Sequence, residues 1–150
     1  MSGVDTLRQK LEKLKQESTV DRTAVIEEWL RAIDGLLARF TKVLEPYVRD
    51  GLVVVHTGVE MLREDALGDY GVRSMSFEIG PRKIFLTPVG RYIVGAQGRV
   101  DLYAVGARAS AHMLLRTKGR DWVIRPPGPP TPPRPLTDDE IRTVIERLVE

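Results

Sequence analysis

Cysteine is absent from the 150 residues, so the chain has no disulfide framework, thiolate metal site or cysteine nucleophile. That fits a reducing compartment. Histidine occurs twice. His56 shares a strand face with Glu60, but four residues along a strand set them roughly 13 Å apart, and His112 has no partner at ligand spacing. No apolar run approaches the roughly 20 residues needed to cross a bilayer. The opening MSGVDTLRQKLEKLKQ is charged throughout and lacks the apolar core of a signal peptide. Ser2, Ser18, Ser74, Ser76 and Ser110 lie outside any G-x-S-x-G elbow. Gly90, Gly95 and Gly98 fit neither phosphate-loop spacing, and no helix opens after them to offer free N–H groups. Asp101 and Glu78 do not make the Asp…Glu-x-Lys arrangement of a nuclease-type strand, since the strand after Asp101 offers Arg116 and Lys118 but no glutamate, and Arg99 makes Asp101 a surface ion pair. These absences predict a soluble, cytoplasmic, non-enzymatic protein without a metal or cofactor.

What is present is organised around Arg82 to Leu102, RKIFLTPVGRYIVGAQGRVDL. Short β-branched and aromatic runs alternate there with single glycines and one proline, as in antiparallel strands joined by tight turns. The rhythm extends over Leu52 to Arg125. In the first run Val53, Val55, Thr57, Val59 and Met61 share one face, with His56 and Glu60 on the other. Met75, Phe77 and Ile79 face in, followed by the turn Gly80-Pro81 and the segments Lys83–Thr87 and Arg91–Val94. Val100, Leu102 and Ala104 alternate against Arg99, Asp101 and Tyr103. Two further runs cover Ala109 to Thr117 and Trp122 to Arg125. No crossover helix fits between these runs, so they form a meander rather than βαβ units.

Helices flank the sheet. Val4, Leu7, Leu11 and Leu14 make a two-heptad a/d seam, too short to stand alone in water. Asp21 is placed as the N-cap of a second, longer helix carrying Val25, Trp29, Ile33, Leu36, Leu37, Phe40, Val43, Leu44 and Tyr47. Pro46 kinks or shortens that helix, and Asp50-Gly51 stops it. Pro126 to Pro135, PPGPPTPPRP, reads as a polyproline II tether of up to roughly 30 Å, and Pro129-x-x-Pro132-x-Arg134 matches a polyproline ligand pattern. Thr137-Asp138-Asp139-Glu140 is a capping box with Leu136 and Ile141 as its staple, opening a helix whose apolar face is Ile141, Val144, Ile145, Leu148 and Val149.

The expected fold is therefore α+β. An antiparallel β-meander of about five to seven strands packs against a long N-terminal helix, with a short N-terminal helix and a C-terminal helix after a Pro-rich linker. The parts are an N-terminal helical extension (1–20), an α+β core domain (21–125), the linker (126–136) and a C-terminal amphipathic helix (137–150).

Charge is segregated behind a net +2. Met1 to Tyr70 carries 10 Lys/Arg against 13 Asp/Glu, Gly71 to Arg125 carries 10 against 3, and Pro126 to Glu150 carries 3 against 5. Either flanks and sheet neutralise each other or the sheet meets an anionic partner. Two functions follow. The first is a protein–protein interaction module, a small adaptor, chaperone-like or accessory subunit. It binds a protein partner or itself as a homo-oligomer through Leu7, Leu11 and Leu14, or through Ile141, Ile145 and Leu148. The alternative is a nucleic-acid-binding module. Its outward sheet face would carry Lys83, Phe85, Arg99, Tyr103, Arg116 and Arg125, with His112, so that cations meet phosphates and rings stack on bases.

Overall fold

The computed structural model describes residues 3–150, with side chains described at 5–17 and 21–150. The fold is α+β: helix α1 (Gly3–Arg49), a seven-stranded antiparallel sheet and helix α2 (Asp138–Leu148). The strands are β1 (Val54–Glu64), β2 (Gly68–Ile79), β3 (Arg82–Gly90), β4 (Arg99–Ala104), β5 (His112–Arg116), β6 (Trp122–Arg125) and β7 (Arg134–Pro135), and they lie side by side in chain order. A sequential meander needs short turns, and glycines with positive φ supply them at Gly80 and Gly106.

One helix replaces the two expected at the N-terminus, and Asp21 is interior to it rather than a cap. Ser18, Thr19, Val20 and Asp21 are mediocre helix formers, costing at most about 0.7 kcal/mol each. A break would instead leave eight backbone groups without partners. With neither Gly nor Pro between Val4 and Ile33, the chain stays helical. Pro46 lies inside α1, which continues to Arg49, and Gly51 follows with φ 74°.

Trp29, Ile33, Leu36, Leu37, Phe40, Val43 and Leu44 form the buried stripe of α1. It meets Phe77, Ile84, Leu86, Val100, Leu102, Leu114 and Ile124 from one face of the sheet. Phe40 stacks on Phe77 at 6.2 Å and Trp29 tilts against Trp122 at 6.1 Å. The C-terminal helix folds back on this core. Leu136, Ile141, Val144 and Ile145 are buried in it, so the C-terminal apolar face is covered by its own chain. The Pro-rich segment is not a free tether at its end: Arg134 and Pro135 pair with β6, and Leu136 N–H donates to Trp122 O at 3.0 Å. Proline suits that outermost position because an edge strand needs no donor on its outer side.

Four expectations about the sheet require correction. Arg91–Val94 is a loop with a single bridge between Ile93 and Ala96, and Arg108–Ser110 is one turn of 3-10 helix. Val59 and Met61 share the predicted face with Val55, yet stand 69% and 71% exposed. The cause lies in β2, where the buried side changes between Val72 and Met75 while the register with β1 runs unbroken. Past Arg73 it is the opposite face, with Tyr70 and Val72, that turns into the core, leaving Val59 and Met61 over Gly71 outside. Lastly, β5 is shifted by one residue from its expected facing: His112, Leu114 and Arg116 point inward.

Candidate functional site

The first candidate surface is the N-terminal arm of α1. Leu7, Leu11 and Leu14 are 57%, 56% and 60% exposed, on a helix whose buried stripe begins at Trp29. Val4, the fourth member of the expected seam, has its side chain outside the described residues. The arm is flanked by charge, including an Arg8–Glu12 pair at 3.4 Å one turn apart. At its base Leu14 joins Val25, Ala66, Leu67 and Tyr92 around a groove of about 390 Å³. The arm gains its helicity from continuity with the packed half of α1, which removes the nucleation cost of an isolated two-heptad segment. The second expected docking face does not stand free: Ile141 and Ile145 are buried in the chain's own core and Leu148 packs against it.

The expected nucleic-acid face is assembled in part, with Arg99 and Arg125 lining one cleft beside Arg108. Lys83, Phe85, Arg99, Tyr103 and Arg125 do share the outer side of the sheet, by their register. Arg116 does not; it lies on the inner side, 5% exposed, forked onto Glu28 of α1. Arg99 is likewise committed, with Nε 2.8 Å and Nη2 3.2 Å from the buried Asp101 carboxylate. This pair is therefore buried on its acidic side rather than a surface contact. Tyr103 is buried, stacked on Phe85 at 5.5 Å with its hydroxyl 3.0 Å from Thr87 Oγ1, and Lys83 and Arg108 lie over the two rings. A stacking platform needs exposed ring faces, and here they are occupied.

A second group of cations lies elsewhere. Arg91, Arg116, Lys118 and Arg120 line a cleft of about 520 Å³ with Ala24, Val25, Glu28 and Gln97. The sequence reading singles out Arg116 alone among these. The others come from turns separated along the chain, and the signal that marks them is cations at turn positions, Arg91 and Lys118-Gly119-Arg120.

Comparison with protein-family models, with curated proteins and with solved structures finds no match for this chain.

Electrostatics sharpen two places. Glu28 is held below the usual carboxylate range, first by the hydrogen bond from Arg116, against the opposing effect of burial, and then by the charges of Arg116, Arg120 and Arg91. The Tyr70 hydroxyl is pushed up by burial and by its hydrogen bond to Glu64. Glu64 also accepts from the backbone N–H groups of Arg91 (3.0 Å) and Tyr92 (2.8 Å), so it pins the loop that carries Arg91 to the β1–β2 hairpin. Among the described residues no group of three or more His, Asp and Glu side chains is placed to hold a metal, and no helix is long and apolar enough to cross a membrane.

Proposed function

We propose that the protein is an interaction module that works by assembly, its α1 arm pairing with the arm of a second copy. The observation that carries this reading is the row Leu7, Leu11, Leu14, spaced four and three and more than half exposed on a continuous helix. A solvent-facing row of leucines at a/d spacing is costly unless another helix covers it. A second copy is the occupant whose surface matches without further assumption, because a two-fold axis presents the same row to itself. In an antiparallel arrangement centred on this row, Leu7 of one copy stands level with Leu14 of the other. The tip of each arm then meets the Leu14 edge of the groove at the base of the other. The arms join two copies while both sheets remain outside the joint, which suits an adaptor or accessory subunit.

Sedimentation velocity over a range of concentrations tests this. The expected result is a monomer–dimer equilibrium that shifts to monomer in the triple variant Leu7→Glu, Leu11→Glu, Leu14→Glu, with the core's thermal unfolding unchanged. A parent chain that stays monomeric at high concentration, or a dimer that survives the triple variant, overturns the reading.

A further inference from the structure

The cleft beside the middle of α1 carries cations without enough acid to neutralise them. Four positive side chains line it and, among the described residues, one carboxylate, Glu28. Glu28 is used by Arg116: Arg116 Nη1 lies 2.9 Å from Oε2 and Nη2 bonds Oε1. Setting that pair aside leaves Arg91, Lys118 and Arg120. Lys118 has no ion-pair partner among the described residues, and Arg120 approaches Glu28 only at 3.9 Å. Arg91 is oriented by Gln97 and lies over the Tyr92 ring at 5.4 Å. The Nε–H groups of Arg91 and Arg116 are buried and have no hydrogen-bond partner. Buried donors of a guanidinium left unpaired are costly.

The backbone holds these groups in place. Gln97 N–H donates to Arg116 O at 2.7 Å and Arg116 N–H to Gly98 O at 3.0 Å, so the loop bearing Arg91 is laced to the strand bearing Arg116. Lys118, Gly119 and Arg120 form the loop of the β5–β6 hairpin, closed by Thr117 N–H to Asp121 O at 2.8 Å. Arg120 has φ 67°, the one non-glycine residue with positive φ among the described residues. Hairpin loops of this kind ordinarily place glycine there, because a Cβ is disfavoured in the left-handed region. Here the glycine stands one position earlier and an arginine takes the strained site, beside the cleft.

We infer that this cleft binds a small phosphorylated anion of diphosphate to triphosphate size through Arg91, Lys118 and Arg120, with Arg116 as its paired floor. Four cations against one carboxylate leave the lining at a net +3, which matches the charge of such a ligand, and about 520 Å³ is room for one. Its apolar lining is limited to Ala24 and Val25, with no exposed aromatic ring on which a base would stack, so the phosphates carry the recognition. The cleft shares Val25 with the groove at the base of the α1 arm, but its cations lie outside that groove.

Titration calorimetry with inorganic pyrophosphate on the full chain at low salt tests the inference. The expected outcome is saturable binding with one site per chain. Lys118→Ala and Arg120→Gly each weaken it by about tenfold or more, the loss of one charged hydrogen-bond donor. Arg82→Ala, an exposed cation at the far end of the sheet, leaves it unchanged. Arg120→Gly is the decisive variant, because it relieves the left-handed backbone and should leave thermal stability equal or higher while binding falls. Absence of saturable pyrophosphate binding overturns the inference. So does equal weakening by Arg82→Ala, or tighter binding of a single-stranded oligonucleotide that is indifferent to Lys118 and Arg120.

Discussion

Arg116 and Glu28 lie 88 residues apart and meet as a two-pronged ion pair, with Arg116 Nη1 2.9 Å from Glu28 Oε2. It joins the last residue of β5 to the middle of α1 and fixes where the helix crosses the sheet. An arginine 5% exposed needs a counter-charge, and α1 supplies it from the edge of its buried stripe.

Glu28→Gln should therefore destabilise the fold by about 2 kcal/mol, less than a fully buried pair because the Glu28 side chain keeps 29% of its exposure. The sign with pH follows from the lowered acidity constant. In the folded state Glu28 holds its charge to lower pH than in the unfolded chain, where carboxyls titrate near about 4.3. Its contribution is complete above that value and is lost as pH falls through the folded value. Urea midpoints should differ between parent and variant at pH 7 and converge in strong acid. Equal midpoints at pH 7 would show the pair to be screened by solvent.

Gly98 faces the ring of Trp29 so closely that a Cβ there would lie inside the van der Waals radii of Cζ3 and Cη2, and its φ of 147° disfavours any side chain. Gly98→Ala should cost about 3 kcal/mol or more, from overpacking and backbone strain together. Because the clash is with the outer ring carbons of Trp29, combining it with Trp29→Phe should cost less than the sum of the two single changes. A double-mutant cycle in chemical denaturation reads this coupling, and strict additivity would contradict the contact.

Thr137 caps α2: its Oγ1 accepts the Glu140 N–H at 3.1 Å, and Leu136 and Ile141 are both buried as the staple requires. The reciprocal half of the capping box is not made, because the Glu140 carboxylate is taken by Arg134 Nη2 at 2.7 Å. Thr137→Ala should cost about 1 kcal/mol, while Glu140→Gln should cost less, since the pair it loses is with the half-exposed side chain of Arg134. Thermal unfolding of the two variants separates the contributions.

Local chemistry explains what the sequence made legible. Thr137 and its capping partner lie three residues apart, Asp50-Gly51 ends α1 by a conformation glycine favours, and Val100 and Leu102 alternate with polar neighbours, so their facing was readable. The segment Met113-Leu114-Leu115 is apolar at every position. Its alternation has no polar marker, and the inward Arg116 looks like an outward cation until Glu28 is found opposite it. The basic cleft was illegible for the same reason: Arg91, Lys118 and Arg120 converge through register and loop closure, which no spacing along the chain records. The meander and the α1 stripe were readable because they repeat over many residues. The unbroken run of α1 through Asp21 was not, because a good capping residue is also an acceptable interior one.

His112 opens β5 on the inner face, 9% exposed, with Nδ1 buried and unpartnered. Its imidazole is held below the ordinary histidine range, mainly by burial and then by the charge of Arg147 on α2. Glu140 on α2 opposes this and Arg134 on β7 adds to it. The folded state therefore resists protonation that the unfolded chain accepts near pH 6.5. Stability is complete above that pH and falls as the pH drops through the folded value, because protonation then favours unfolding. The window opens at about pH 6.5, above the pH at which the Glu28 carboxylate begins to titrate. Denaturation from pH 7.5 to pH 5 should show the parent chain losing stability, and His112→Leu should flatten that slope. Since the charge appears against Arg147 and Arg134, amides of α2 should gain hydrogen exchange first on acidification. A slope unchanged in His112→Leu would assign the loss to other groups, and α2 amides no faster than those of β3 would show that the helix does not sense the imidazole.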